Sequence, residues 1–333
     1  MSGVTRKVAT AMRETFMDRL PLSRTAVDRD AATRDVPGAL EAAWADERTR
    51  VLVLARQQAL LAPGSGRLRL ALLPPSQVPD PQLVLYLGRT LEDSDDAAAG
   101  TVVLAAVLDE AAADRVAADP AGWADLRTQG ATLDARDAGL FTEALGLANW
   151  HRTHPHSPRT GAPTVIGRGG WVRYPSGHEE EASGEHVFPR TDPAVIVGVI
   201  DGRDRLLLAS NAAWPEGRYS VVAGFVEPGE SFEAAVQREV MEETGIAVAA
   251  TEYLGSQPWP FPASVMVGFL ARTDPGDPAD VRVDGVEIRE ARWFERDELA
   301  EAASAGRIRL PGSTSIARAI IEHWYGGRLD GDW

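Results

Sequence analysis

The chain contains no cysteine among its 333 residues, which removes disulfides and thiolate-bound zinc from consideration. It also lacks any long apolar run. The opening residues 1–22 mix charged and apolar side chains without the continuous core of a signal peptide, and no later stretch approaches a membrane span. Positive charge is scarce, with 34 Lys and Arg against 49 Asp and Glu and a net charge of −15. Non-specific grip on nucleic acid comes mainly from cationic side chains neutralising phosphates, so this balance disfavours it. A soluble cytoplasmic protein without membrane contact is the expectation, and an anionic substrate has to be held by metal ions and local positive groups. What the chain does have is 44% hydrophobic residues over a length that suits two domains, each with its own core.

The most informative stretch is 224–246, GFVEPGESFEAAVQREVMEETGI. Gly224, Pro228 and Gly229 predict a loop, and from Ser231 onward the residues favour a helix until Gly245 stops it. On that helix Glu239, Glu242 and Glu243 fall at i, i+3 and i+4, extending a stripe that contains Phe232, Ala235 and Val236. Three like charges on one face repel unless something positive lies between them, and oxygen-only ligands suit a hard divalent cation, Mg²⁺ or Mn²⁺. A solvated acidic face is the ordinary reading of a Glu-rich helix. Against it stands the order of the residues: Gly224, Glu230, Arg238-Glu239-Val240, Glu242-Glu243, Gly245 and Ile246 agree at every fixed position with the signature of the Nudix hydrolases, which this segment resembles. The resemblance implies an α/β/α sandwich and hydrolysis of a nucleoside diphosphate linked to another group.

Residues 1–148 read as a smaller N-terminal α/β domain, with apolar runs at 51–55, 68–72, 83–87 and 102–107 as strands, and 39–45, 111–118 and 137–150 as helices. Residues 93–96 read as an exposed acidic loop. The segment 149–187 carries His151, His154, His156 and His178, but no pair has ligand spacing on a helix and prolines interrupt it, so it reads as a linker-like β segment. Its context around Trp150-His151, Gly161 and Gly170-Trp171 is similar to the zinc ribbon of many NADH pyrophosphatases. Ser157, Thr160 and Tyr174 fall at or near the places where those relatives carry cysteines, so a metal-free remnant with no zinc is expected. Residues 188–325 form the Nudix domain, with strands at 194–201, 206–209, 219–223, 248–254, 265–271 and 287–294, a closing helix at 316–325, and a tail at 326–333.

A second diagnostic stretch is 256–264, SQPWPFPAS. Its prolines lack amide protons and exclude a central strand. An extended backbone would turn Trp259 and Phe261 to one side as flat surfaces for a base or nicotinamide, with Gln257 and Ser264 hydrogen-bonding at either end. On the residues alone, a proline-stiffened connection with its aromatics packed into the domain edge is the better account. The string nevertheless looks like the marker of the NADH pyrophosphatase subfamily. That resemblance implies metal ligands at the Ala223 carbonyl, Glu239, Glu243 and Glu287, with Glu242 close by. It further implies substrate contacts from Gln257, Pro258, Trp259, Pro260, Phe261, Pro262, Ala263 and Ser264, from Phe188, from Phe225 as a stacking surface, and from Ala317.

Arg238 is expected to fix a glutamate and Glu230 to organise the loop. The water's proton is accepted by one of the four glutamates, and the sequence leaves open which. The implied reaction cleaves NADH or NAD⁺ into AMP and nicotinamide mononucleotide in a homodimer, and removal of NAD caps from RNA is the same cleavage. Two alternatives stand beside it: a Nudix hydrolase with another substrate such as ADP-ribose, and a non-enzymatic nucleotide sensor, which could dispense with glutamates that are all present here.

Overall fold

The computed structural model describes residues 15–331 except 65, 178–184, 277–279 and 284. His178, the first 14 residues and residues 332–333 of the expected tail therefore lie outside the described residues. Two sheets organise the chain. The first contains β1 (Val27–Asp28), β2 (Arg50–Ala55), β3 (Gln58–Leu60), β4 (Leu72–Leu73), β5 (Leu83–Thr90), β6 (Val102–Val107) and β7 (Trp123–Ala124), in the order β1-β5-β6-β2-β3-β7 with β4 on β2. Helices α1 (Ala31–Arg34), α2 (Ala39–Trp44), α3 (Glu110–Val116), α4 (Leu126–Gln129) and α5 (Ala135–Thr153) surround it. The strand expected at 68–72 is shorter: only Leu72 and Leu73 pair with β2, and Leu70 makes a single bridge to Leu61. The acidic loop at 93–96 is largely exposed, but Asp96 accepts from both Nη1 and Nη2 of Arg136 on α5, at 2.6 and 3.1 Å.

A hairpin of β8 (Thr164–Gly167) and β9 (Val172–Pro175) follows. Side-chain hydrogen bonds hold this segment around Ser157 and His151. Ser157 Oγ accepts the amides of Arg159 and Thr160 at 3.1 and 3.0 Å and donates to Glu185 Oε1 at 2.5 Å. Arg173 has only donors, so its Nη1, 2.8 Å from His151 Nδ1, fixes the tautomer. The other ring nitrogen then donates to the Gly170 carbonyl at 2.8 Å. Burial lowers the His151 pKa to about 4, which keeps the ring neutral.

The second sheet contains β10 (Asp192–Ile200), β11 (Leu206–Asn211), β12 (Val222–Phe225), β13 (Ala250–Trp259), β14 (Ser264–Arg272) and β15 (Ile288–Phe294), in the order β13-β14-β10-β11-β15 with β12 on β10. It repeats the first sheet's pattern. In each, a parallel central pair, β2 with β6 and β10 with β14, is flanked by antiparallel partners, β5 and β3 or β13 and β11. The two copies differ at the decisive place. Between β12 and β13 the chain forms α6 (Phe232–Thr244), whereas between β4 and β5 it forms only the single 3₁₀ turn Pro75–Gln77. The first sheet therefore has no counterpart of the acidic helix, which accounts for its lack of a catalytic motif.

β10 is buried along seven consecutive residues, as its unbroken apolar run requires for a strand covered on both faces. Ile196, Ile200, Leu208 and Leu270 pack against α7 (Arg296–Ser304) and α8 (Ile316–Tyr325), while Val195, Val197 and Phe269 pack against Ala235, Val236 and Val240 of α6. This alternation builds the α/β/α sandwich. Helix α7 was not foreseen, because its apolar signal reduces to Leu299, Ala302 and Ala303. The two halves are pinned together at residues 256–264. Ser23 Oγ donates to the Ser256 carbonyl at 2.7 Å, and Asn149 Nδ2 to the carbonyls of Pro260 and Pro262 at 3.0 and 3.3 Å. Among the described residues, no helix is long and apolar enough to cross a membrane.

Candidate active site

The local fold of α6 follows from its caps. Ser231 Oγ accepts the Ala234 amide at 3.1 Å, and Gly245 closes the helix at φ 70°, a left-handed conformation that suits glycine. Arg238 then ties loop to helix. Its Nε and Nη2 donate to the two Glu230 oxygens at 2.7 and 2.9 Å, and Nη2 also donates to the Phe225 carbonyl at 2.9 Å. Nη1 donates to Glu239 Oε1 at 2.9 Å and to Glu242 Oε2 at 3.2 Å. Glu230 completes the loop by accepting the Glu227 amide at 3.0 Å, and Arg238 holds its carboxyl down at about 2. The arginine thus orients the acids rather than standing free for substrate.

Glu239 lies directly over Gly224. A Cβ at that position would sit 1.9 Å from the Glu239 carboxyl carbon, so only glycine permits the approach. Burial pushes the Glu239 pKa up, and repulsion from Glu242 and Glu287 adds to this while Arg238 opposes it. Glu243 is buried at 7% exposure and lines a cavity, whereas the Glu242 side chain is 62% exposed. Helical spacing explains the difference: i+3 and i+4 lie on opposite flanks of the Glu239 direction.

The cavity has a volume of about 640 Å³. Ala223, Glu243, Trp259 and Ala317 all line it, so four of the residues singled out from the sequence share one space. Glu287 is exposed immediately before β15, and Phe225 and Phe188 are 61% and 59% exposed, outside that lining. The donors are carboxylates and one carbonyl, a set suited to a hard divalent cation, which would relieve the repulsion from Glu242 and Glu287 that adds to burial in raising Glu239. Among the described residues no three His, Asp or Glu side chains already converge as a metal cage, and one oxygen of Glu239 is held by Arg238.

The proline-aromatic stretch departs from a straight wall. β13 is an edge strand and pairs with β14 through Pro258↔Val265 and Trp259↔Ser264, after which the chain turns. Trp259 and Phe261 meet edge to face at 4.9 Å and pack against the core of the first sheet, so the packed-aromatic reading also applies. Gln257 differs from expectation. It is fully buried, with Oε1 accepting the Leu22 amide at 3.2 Å and Nε2 donating to the Thr314 carbonyl at 3.0 Å, and it is not part of the cavity lining. Pro258, Pro260, Ala263 and Ser264 face a different cavity.

Sequence reasoning missed the contribution of the first half of the chain. Arg127 of α4 lies over the rings of Phe261 and Trp259 at 4.4 and 5.3 Å and, with Thr128, lines the same cavity as Glu243. No local signal marks a lone arginine in a short helix, since its relevance arises only when the halves dock. Asn211, Trp214 and Ser315 also line the cavity and belong to no motif recognised from sequence.

Comparison with known proteins agrees with this geometry. Residues 189–311 match the NUDIX domain family, and residues 48–150 match the NADH pyrophosphatase-like rudimentary NUDIX domain. The second match corresponds to the sheet that repeats the strand pattern without the acidic helix. The chain is 43% identical over 321 residues to the NAD-capped RNA hydrolase NudC of Mycobacterium bovis, covering 91% of this chain and 94% of that one. Its Mycobacterium tuberculosis counterpart is 42% identical over the same span. The NAD-capped RNA hydrolase NUDT12 of Homo sapiens is 37% identical over 200 residues, covering 58% of this chain and 42% of that protein.

Proposed function

The chain belongs to the Nudix hydrolases of the NADH pyrophosphatase type, and on that footing we propose that it hydrolyses the pyrophosphate bond of NADH and NAD⁺ to AMP and nicotinamide mononucleotide, including where the dinucleotide caps an RNA. The observation that carries this reading is the single cavity lined jointly by Ala223, Glu243, Trp259 and Ala317. It offers the Glu243 carboxylate and the Ala223 carbonyl for ions that meet a diphosphate, and an aromatic residue for a ring.

Glu239, Glu243, Glu287 and the Ala223 carbonyl would hold divalent ions, Mg²⁺ or Mn²⁺. When bound, these ions neutralise the diphosphate oxygens and make an attacking water more acidic. Arg238 fixes Glu239 through the 2.9 Å bond, so that the carboxylate does not search rotamers during turnover. A carboxylate of the set Glu239, Glu242, Glu243 and Glu287 takes the proton from water. Trp259 lines the cavity, and Arg127 over its ring supplies positive charge from the first domain. Phe225 and Phe188 each expose more than half of their surface, which fits completion of the site by a second copy of the chain in a homodimer.

The test is direct. The purified protein is incubated with NADH and Mg²⁺ or Mn²⁺, and in parallel with a short NAD-capped RNA, and products are separated by chromatography. Release of AMP and reduced nicotinamide mononucleotide from NADH, and of nicotinamide mononucleotide from the RNA, is expected. Intact NADH with either metal would overturn the assignment.

A further inference from the structure

A second cavity, of about 420 Å³, lies on the reverse side of the proline-aromatic segment. The segment divides the two spaces: Trp259 lines the first cavity, while its neighbours Pro258 and Pro260 line this one. The remaining walls include Gly146 and Leu147 of α5 and Trp171 next to the β8–β9 hairpin. Into this apolar slot α5 places Glu143, whose side chain is only 6% exposed. Its Oε1 is buried without a hydrogen-bond partner, and its Oε2 is 3.6 Å from Arg29 Nε. A buried carboxylate oxygen without a donor is rare in folded proteins, and although Arg34 attracts this carboxylate by charge, its own buried Nε and Nη1 make no hydrogen bond to it. Arg29 and Arg190 also line the cavity with side chains 59% and 64% exposed, Arg190 donating through Nε to Asp192 Oδ1 at 2.5 Å, and Thr25 and Thr191 belong to the same lining.

We propose that this cavity is a second nucleotide site, taking a nucleoside monophosphate whose base carries an amine or carboxamide N–H. The slot accepts the flat base against proline and indole surfaces, Glu143 Oε1 accepts its N–H, and Arg29 and Arg190 meet the phosphate. Burial separately pushes the Glu143 carboxyl up to about 7, so near neutrality part of the population also carries an O–H able to donate to a ring nitrogen. AMP and nicotinamide mononucleotide both have the required chemistry. They are the products of the hydrolysis proposed above, so the choice of ligand rests on that reading. A nucleotide lodged here presses on Pro258 and Pro260, and the substrate-facing Trp259 lies between them in sequence. The site is therefore placed to report product level to the catalytic wall.

The experiment is a calorimetric titration of the full chain with AMP, and separately with nicotinamide mononucleotide, in the presence of Mg²⁺. Two variants accompany it. Glu143→Leu removes the acceptor with a good helix former, and Gly146→Leu fills the slot at a position where a Cβ meets only the Pro260 ring at 3.8 Å. Thermal melts verify folding of each. Two binding events per chain for at least one of the nucleotides, with one of them weakened tenfold or more in both variants, is the expected result. A single event for each nucleotide, or two events that both variants leave at full affinity, would overturn the proposal. NADH hydrolysis is scored separately, so a protein that binds two nucleotides without cleaving NADH would sink only the reaction assignment.

Discussion

Gly224 and Glu239 are in contact across the loop-helix junction, with no room between them for a methyl group: a Cβ on Gly224 would stand 2.0 and 2.3 Å from the two carboxylate oxygens. The backbone of Gly224 lies outside the left-handed region, so alanine is sterically acceptable to the main chain and the clash falls on the carboxylate alone. Gly224→Ala is therefore expected to fold while displacing Glu239 from its place beside Arg238. Turnover of NADH should fall on the order of 100-fold or more, the size expected when an electrostatic group at the reaction centre is misplaced. A variant that keeps parental turnover would show that Glu239 does not need this position.

The three acids of α6 should not be equivalent. Glu243 is buried at 7% exposure beside the cavity, whereas Glu242 points largely to solvent and meets Arg238 at 3.2 Å. Glu243→Gln is expected to lower kcat by roughly 10²–10³, while Glu242→Gln, acting through Arg238 at a solvated bond, should cost about tenfold or less. Steady-state kinetics at saturating Mg²⁺ decides this, and equal losses for the two variants would contradict the geometry.

The helix could be read from sequence because its information is local: a serine cap, a glycine stop, and three acids at helical spacing. β10 was legible for the same reason, as an unbroken apolar run from Ala194 to Ile200. Gln257 was not. Its polarity suggests a substrate contact, and only the docking of Leu22 and Thr314 from distant parts of the chain consumes its amide. Arg127 was invisible for the converse reason, since it acquires meaning only over Phe261, 134 residues later. Long-range packing decided these cases, and no local pattern encodes it.

Glu143 gives stability a pH dependence of defined sign. Its carboxyl is raised from 4.5 to about 7, burial outweighing the attraction of Arg29 and Arg34. Between those values the folded chain keeps a proton that the unfolded chain has lost, so this residue lowers stability as pH rises across that window and holds it at the lower level above. Glu143→Gln is neutral throughout and should flatten the slope, with a gain at pH 8 relative to pH 4 of up to roughly 3 kcal/mol. Urea unfolding of parent and variant at several pH values measures it, and parallel curves would count against a buried, uncompensated carboxyl.

The ribbon segment separates metal needed for chemistry from metal needed for folding. Ser157 Oγ makes three hydrogen bonds, two from the amides of Arg159 and Thr160 and one to Glu185, in a segment with no cysteine to bind zinc. At about 1 kcal/mol each, these bonds make Ser157→Ala worth roughly 2–3 kcal/mol, or a fall of several degrees in Tm. EDTA, by contrast, should abolish NADH hydrolysis while leaving the thermal melt unchanged to within the modest shift that loss of bound catalytic ions produces. The hairpin's second anchor reinforces this expectation, since neutral His151 bridges Arg173 and Gly170 through protons rather than through an ion. A melt that collapses on chelation, with Ser157→Ala indistinguishable from the parent, would mean that the segment is held by a metal after all.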